Sequence, residues 1–135
     1  MTVSIARKRT KEITFRRRLS QSMFITSPSR VAMNLDKLIH NPFRLGILTA
    51  LAQADSLSFR ELMSMLGATY GNFGAHARKL ENANYIRCMK SFEHRVPLTN
   101  YRLTSEGHQA LAIYLETVES LIRTMRNDSR SLGAR

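Results

Sequence analysis

Asn72, Arg78 and Lys79 are the side chains of this chain best suited to chemistry, and that chemistry is recognition rather than catalysis. An asparagine amide can pair with adenine, an arginine fork with guanine or phosphate, and a lysine with phosphate. At 100° per residue, Arg78 shares one helical face with Gly71, Ala75 and Asn82, flanked by Asn72, Gly74 and Lys79. That face is small and polar at its N-terminal end and basic further on. Small residues let a helix come close to a groove. A solvated helix surface has a similar composition, so Arg78 and Lys79 alone weigh equally for both readings.

The reactive side chains are otherwise scattered. His40, His76, His94, His108 and Cys88 contain no i, i+4 histidine pair, and there is no CxxC, GxGxxG, P-loop or GxSxG. No catalytic residue, metal site or cofactor is therefore expected. His76 falls at the edge of its helix's inner face, where a packed or hydrogen-bonded imidazole is expected rather than a ligand. Cys88 lies in a strand-like run, which favours a buried thiol over a reactive one.

The elements that must position the recognition residues are two helices and a tight turn. Ser58 with Glu61 three residues on is a capping box, and Phe59, Leu62, Met63 and Leu66 form one apolar stripe. Gly67 supplies the left-handed residue that ends this helix. Thr69 is placed to cap the next, whose inner face carries Phe73, Ala77 and Leu80, and Asn84 stands where a left-handed residue should close it. Two short helices joined by about three residues including Gly make a helix-turn-helix.

The chain has 135 residues, a net charge of +11 and a hydrophobic content of 43%, enough for one cored domain with extensions and suited to a polyanionic partner. The charge is uneven: residues 1–34 hold eight Lys/Arg and one acid, residues 35–104 nine and five, and residues 105–135 four of each. One cysteine permits no internal disulfide, so a reducing, cytoplasmic setting is expected. The longest strongly apolar run, residues 45–54, is far short of the ~20 residues that span a bilayer, so no membrane partner is expected.

In chain order, residues 1–33 show no sustained apolar period. Ser27, Pro28, Ser29 and Arg30 read as a breaker, and the segment is expected to be a flexible basic arm able to lie along phosphates. Its Arg- and Ser-rich composition also resembles a mitochondrial transit peptide, and Met23 or Met33 could begin a shorter chain. Asn34 is expected to cap a short helix over residues 35–40. Asn41 followed by Pro42 opens the next helix, with Ile47, Leu48 and Leu51 inward and Asp55 and Ser56 ending it. Leu57 and Ser58 suit a short strand. Past the helix-turn-helix, Ile86 and Cys88 alternate with Arg87 and Met89, and Tyr101 and Leu103 with Asn100 and Arg102. These are two half-buried strands around a tip holding Glu93, His94, Arg95 and Pro97, that is, a wing. Thr104 or Ser105 caps a last helix, with Glu106 in its first turn, running to about Arg126. Leu111, Leu115, Val118, Ile122 and Met125 form its stripe, widened by Tyr114 and Leu121. This is more apolar surface than a small winged domain can cover, so a partner subunit is expected.

The fold class so read is mainly α with a small β-hairpin wing: a winged helix-turn-helix with a long C-terminal dimerisation helix. The domains are a basic arm (1–33), a winged helix-turn-helix (34–104), a C-terminal helix (105–126) and a flexible tail (127–135).

LIHNPFRLGILTAL, SFRELMSMLGATYGNFGAHARKLENANYI and KSFEHRVPLTNYRLTSEG together resemble the opening helix, helix-turn-helix and wing of small winged-helix transcriptional regulators, MarR-like in the broad sense. The resemblance covers residues 35–122. It implies a homodimer that binds double-stranded DNA, as an inverted repeat, through a recognition helix over residues 70–83 and the wing. The DNA-facing residues would be Thr69, Tyr70, Gly71, Asn72, Gly74, Ala75, Arg78 and Lys79, with Arg95 as the wing-tip arginine. Leu111, Leu115, Val118, Leu121, Ile122 and Met125 would serve dimerisation. The family sometimes binds a small-molecule effector near the dimer interface, and no such ligand is readable here. The chain departs from the pattern at His94, where glycine is common, and at Leu98, where a basic residue is common. Gly74 replaces a hydroxyl residue and Asn84 a glycine. These departures imply a weaker hold by the wing, which the basic arm would offset. The competing reading is a winged helix used for protein or RNA contacts, which composition alone does not separate from DNA binding.

Overall fold

A computed structural model describes residues 27–133. Its chain forms two compact units. One comprises residues 36–116; the other combines residues 27–35 with residues 117–133. The elements are α1 (Pro28–Met33), α2 (Pro42–Ala52), β1 (Leu57–Ser58), α3 (Phe59–Leu66), α4 (Tyr70–Asn82), β2 (Ile86–Glu93), β3 (Val96–Leu103) and α5 (Ser105–Gly133). This is the mainly helical winged architecture expected.

In the 36–116 unit, local side-chain chemistry sets most helix ends. Asn41 Oδ1 accepts the N–H groups of Phe43 (3.0 Å) and Arg44 (3.1 Å), and Pro42 occupies the first turn, where its missing N–H costs nothing. α2 then buries Ile47, Leu48, Ala50 and Leu51. Ser58 ends β1 and caps α3 with one side chain, its Oγ accepting from Glu61 N–H at 3.1 Å. Gly67 takes φ 59° and Asn84 φ 61°, the left-handed conformations that close α3 and the turn after α4. Phe73, Ala77 and Leu80 are buried, as the helical period requires.

The sheet order is β1-β3-β2, all antiparallel. Cys88 opposes Tyr101 and Ile86 opposes Leu103, so each pair lies on one face, and Ile86, Tyr101 and Leu103 close the core there. Thr104 Oγ1 accepts the Gly107 N–H (3.0 Å) to start α5 and donates to the Asn84 carbonyl (2.6 Å), tying the two helix ends together. Gly107 is buried there, where a Cβ would run into the Tyr85 carbonyl oxygen and lie 2.8 Å from Leu103 Cδ1. Gly107→Ala is expected to lower stability by about 1–3 kcal/mol, since backbone cannot step aside as a side chain can. A thermal melt unchanged by the substitution would show that the strand–helix junction yields.

Three expectations need correcting. Ser27-Pro28 starts a helix instead of breaking the chain: Ser27 Oγ accepts from Arg30 N–H (3.2 Å) and Pro28 sits in the first turn of α1. Asn34 accordingly ends α1, and no helix covers residues 35–40. Asp36 Oδ1 accepts the N–H groups of Leu38 (2.9 Å) and Ile39 (3.3 Å), holding a turn in place of a helical ladder. α5 continues through the polar residues after Arg126 to Gly133, because nothing before that glycine withdraws a backbone donor. The basic arm expected over residues 1–33 lies outside the described residues up to residue 26.

Candidate nucleic-acid interface

α4 is anchored through one aromatic ring. Phe73 is fully buried and meets Phe59 (5.0 Å, 90°), Tyr101 (5.5 Å, 72°) and Phe43 (6.5 Å, 68°) edge to face. α3, β3 and α2 thus grip the helix from its inner side. This leaves Gly71, Asn72, Ala75, Arg78, Lys79 and Asn82 exposed on the other side, with Gly74 half-buried. The side chains of Asn72, Arg78 and Lys79 make no hydrogen bond or ion pair among the described residues, so their donors remain available.

The two glycines are informative. A Cβ at Gly71 or Gly74 would meet nothing within 4 Å. The interior does not require them, yet each weakens a helix by about 1 kcal/mol relative to Ala.

Thr69 stands at the N-cap of α4 but makes no cap hydrogen bond, contrary to the sequence expectation. Tyr70 is 77% exposed, its ring 4.8 Å from that of Phe59. Beside it, Ser58, Phe59, Arg60, Tyr70, Pro97, Leu98 and Thr99 line a groove of about 200 Å³ between the start of α3, the start of α4 and the wing. The sequence alone does not single out Arg60 and Thr99. They come together only through the register that places β3 beside β1, and no local spacing signals that.

In the wing, β2 and β3 are joined at His94 and Arg95, with φ of 51° and 67°. Two successive left-handed residues are the geometry of a type I′ hairpin, which favours Asn-Gly. The chain instead places two large polar side chains at the tip, and both are exposed. Phe92 is 77% exposed, on the face that also carries Lys90 and Thr99.

His76 is held by the protein, as expected from its position. Arg44 Nη1 lies 3.0 Å from its Nδ1, and its ring stacks on Phe43 at 4.8 Å. Burial first, then the Arg44 and Lys79 charges, hold its pKa below the usual 6.5. Of the expected dimerisation residues, Leu111 is buried within the 36–116 unit, so its surface is already used there. Leu115, Ile122 and Met125 are exposed, and Val118 and Leu121 half-buried. Among the described residues there is no cluster of three or more metal-ligating side chains, and no helix long and apolar enough to cross a membrane.

A comparison with curated proteins returned no match. Among solved structures, a transcriptional regulator homologue from Pyrococcus horikoshii OT3 is similar at 25% identity and a TM-score of 0.68, over 74% of this chain and 98% of that one. The regulator BldR from Sulfolobus solfataricus (20%, TM-score 0.53, 94% and 83% covered) and YusO from Bacillus subtilis (17%, 0.54, 93% and 84%) share the fold. The family model described as a winged helix DNA-binding domain matches residues 43–122, well over half of the chain. From the grip on α4 through to the wing, the architecture agrees with that match: the chain belongs to the winged helix DNA-binding domain family.

Proposed function

We propose that this protein is a transcriptional regulator that binds a specific double-stranded DNA sequence as a homodimer, through α4 and the wing. The observation that carries this reading is the outer face of α4: two glycines that the interior does not require, beside Asn72, Arg78 and Lys79, whose side chains have no partner among the described residues. A helix entering a major groove needs that close approach and those donors. The similarity to a transcriptional regulator homologue from Pyrococcus horikoshii supports the regulatory role. Asn72 and Arg78 read base edges; Lys79, Arg60 and Arg95 hold phosphates. The protein acts in the cytoplasm beside its DNA.

Selecting bound fragments from a random duplex pool tests this directly, and recovery of unrelated sequences would sink it. With a selected site in hand, Asn72→Ala and Arg78→Ala should each change base preference at a cost of ~1–3 kcal/mol. Lys79→Ala should weaken all sequences alike and reduce the log–log salt slope by about 0.9. If all three substitutions weaken every sequence equally, the contacts are to backbone and α4 meets the duplex through another face.

A further inference from the structure

Besides the aromatic grip on Phe73, one guanidinium outside the helix-turn-helix reaches the recognition helix through a hydrogen bond. Arg44, in the first turn of α2, directs Nη1 at His76 Nδ1 (3.0 Å), donates from Nε to the Leu38 carbonyl and directs Nη2 at the Lys37 carbonyl (3.4 Å). A guanidinium has no lone pair to offer, so the imidazole must accept at Nδ1 and carry its proton on Nε2. The turn that Arg44 grips is itself fixed to the far end of α4. Asp36 Oδ1 holds the N–H groups of Leu38 and Ile39, and Asp36 Oδ2 accepts from the Tyr85 hydroxyl at 2.6 Å, just past the helix. α4 is therefore tied at its middle and beyond its end to one short turn, through bonds that involve none of its exposed face.

We propose that Arg44, through its hydrogen bond to His76, is a positioning residue that fixes the rotation of α4 about its axis and with it the aim of Asn72 and Arg78. The inference rests on the DNA-binding reading above and deepens it. Protonated His76 has no lone pair at Nδ1, so it cannot accept from Arg44. It would also stand as a cation between Arg44 of α2 and Lys79 of its own helix, the two charged groups that face it. Its pKa is lowered in the fold, so the bond is intact above 6.5 and is lost as pH falls through the lowered value. Acid therefore blurs the choice of sequence.

The readout is accordingly the ratio of affinities for the selected site and a scrambled duplex, measured on the full chain at pH 7.5 and pH 5.5. Wild type should lose part of this ratio at the lower pH, rising to about tenfold once His76 is fully protonated, the scale of one lost base contact. His76→Leu and Arg44→Met should show that loss at both pH values with an unchanged salt slope. His76→Asn sets an amide oxygen where Nδ1 stood and does not titrate, so it should keep the wild-type ratio at both. If Arg44→Met fails to fold, the His76→Leu and His76→Asn pair decides alone. A His76→Leu protein with wild-type selectivity, or a His76→Asn protein that still loses selectivity in acid, overturns the proposal. A wild type with no site preference at pH 7.5 removes the reading beneath it instead.

Discussion

A chain cut after Glu116 is expected to sediment as a monomer and to bind a full inverted repeat ~10²–10⁴ times more weakly than the intact protein. The cut falls where the 36–116 unit ends, and that unit contains its own core. What it removes is the second half of α5, with Val118, Leu121, Ile122 and Met125. Ile122 is 46% exposed and Met125 49%, and Met33 of the same unit is 71% exposed. An apolar stripe of this kind usually marks an interface. Under two-fold symmetry it meets its own copy, so one stripe serves both subunits. Two recognition helices then reach half-sites whose centres lie ~34 Å apart, one helical turn. Once the first helix has bound, the second binds intramolecularly, which is the source of the expected factor. The truncated chain should therefore hold a full repeat scarcely better than a half-site. Ile122→Glu with Met125→Glu tests the same point without shortening the chain. A truncated chain that stays dimeric places the interface elsewhere, and an intact chain that is monomeric at micromolar concentration refutes the dimer.

Phe73→Ala is expected to destabilise the winged unit by about 3–5 kcal/mol, the range for a buried aromatic truncated to Ala. The ring is fully buried and is the meeting point of α2, α3, α4 and β3 through three edge-to-face partners. Each such pairing adds about 0.5–1.5 kcal/mol beyond the area it buries. Domains of this size are stable by only about 5–15 kcal/mol, so the loss is a large share of the total. Urea unfolding should show the midpoint falling steeply, and Phe73→Leu, which keeps much of the volume, should lose less. A midpoint shift worth under about 1 kcal/mol would mean that the aromatic cluster is not the anchor of α4.

Much of the frame around Phe73 is legible in the sequence alone, and the reason is local. Asn41-Pro42, Ser58 with Glu61, Gly67 and Asn84 each fix a helix end through their own backbone or the next turn, so the sequence carries the signal whole. Strand alternation around Cys88 and Tyr101 is legible likewise, since a period of two needs no knowledge of the partner. Misreading arises where one residue type serves two purposes. Ser27-Pro28 reads equally as a break and as a helix start, and Asn34 equally as an opening and a closing cap. The polar end of α5 escapes because a helix needs backbone continuity, while pattern reading follows apolar stripes. The Arg44–His76 pair is not legible at all. Its members stand 32 residues apart, and Arg44 reaches back six residues to Leu38. The groove at Arg60 and Thr99 escapes for the same reason, because only strand register brings it together.

The open space at Gly71 and Gly74 bears on how such a protein can change over generations. Nothing inside the fold registers a side chain there, and a first Cβ would raise helix propensity rather than lower it. Mutation at these two positions is thus scarcely screened by folding, which leaves the proposed DNA partner as the main screen. At Phe73, which lies between them in the chain, the reverse holds. On the DNA-binding reading proposed above, a lineage carrying this helix can drift toward a new target without passing through an unfolded ancestor, because the residues proposed to meet the partner and the residues that keep the helix in place are different residues.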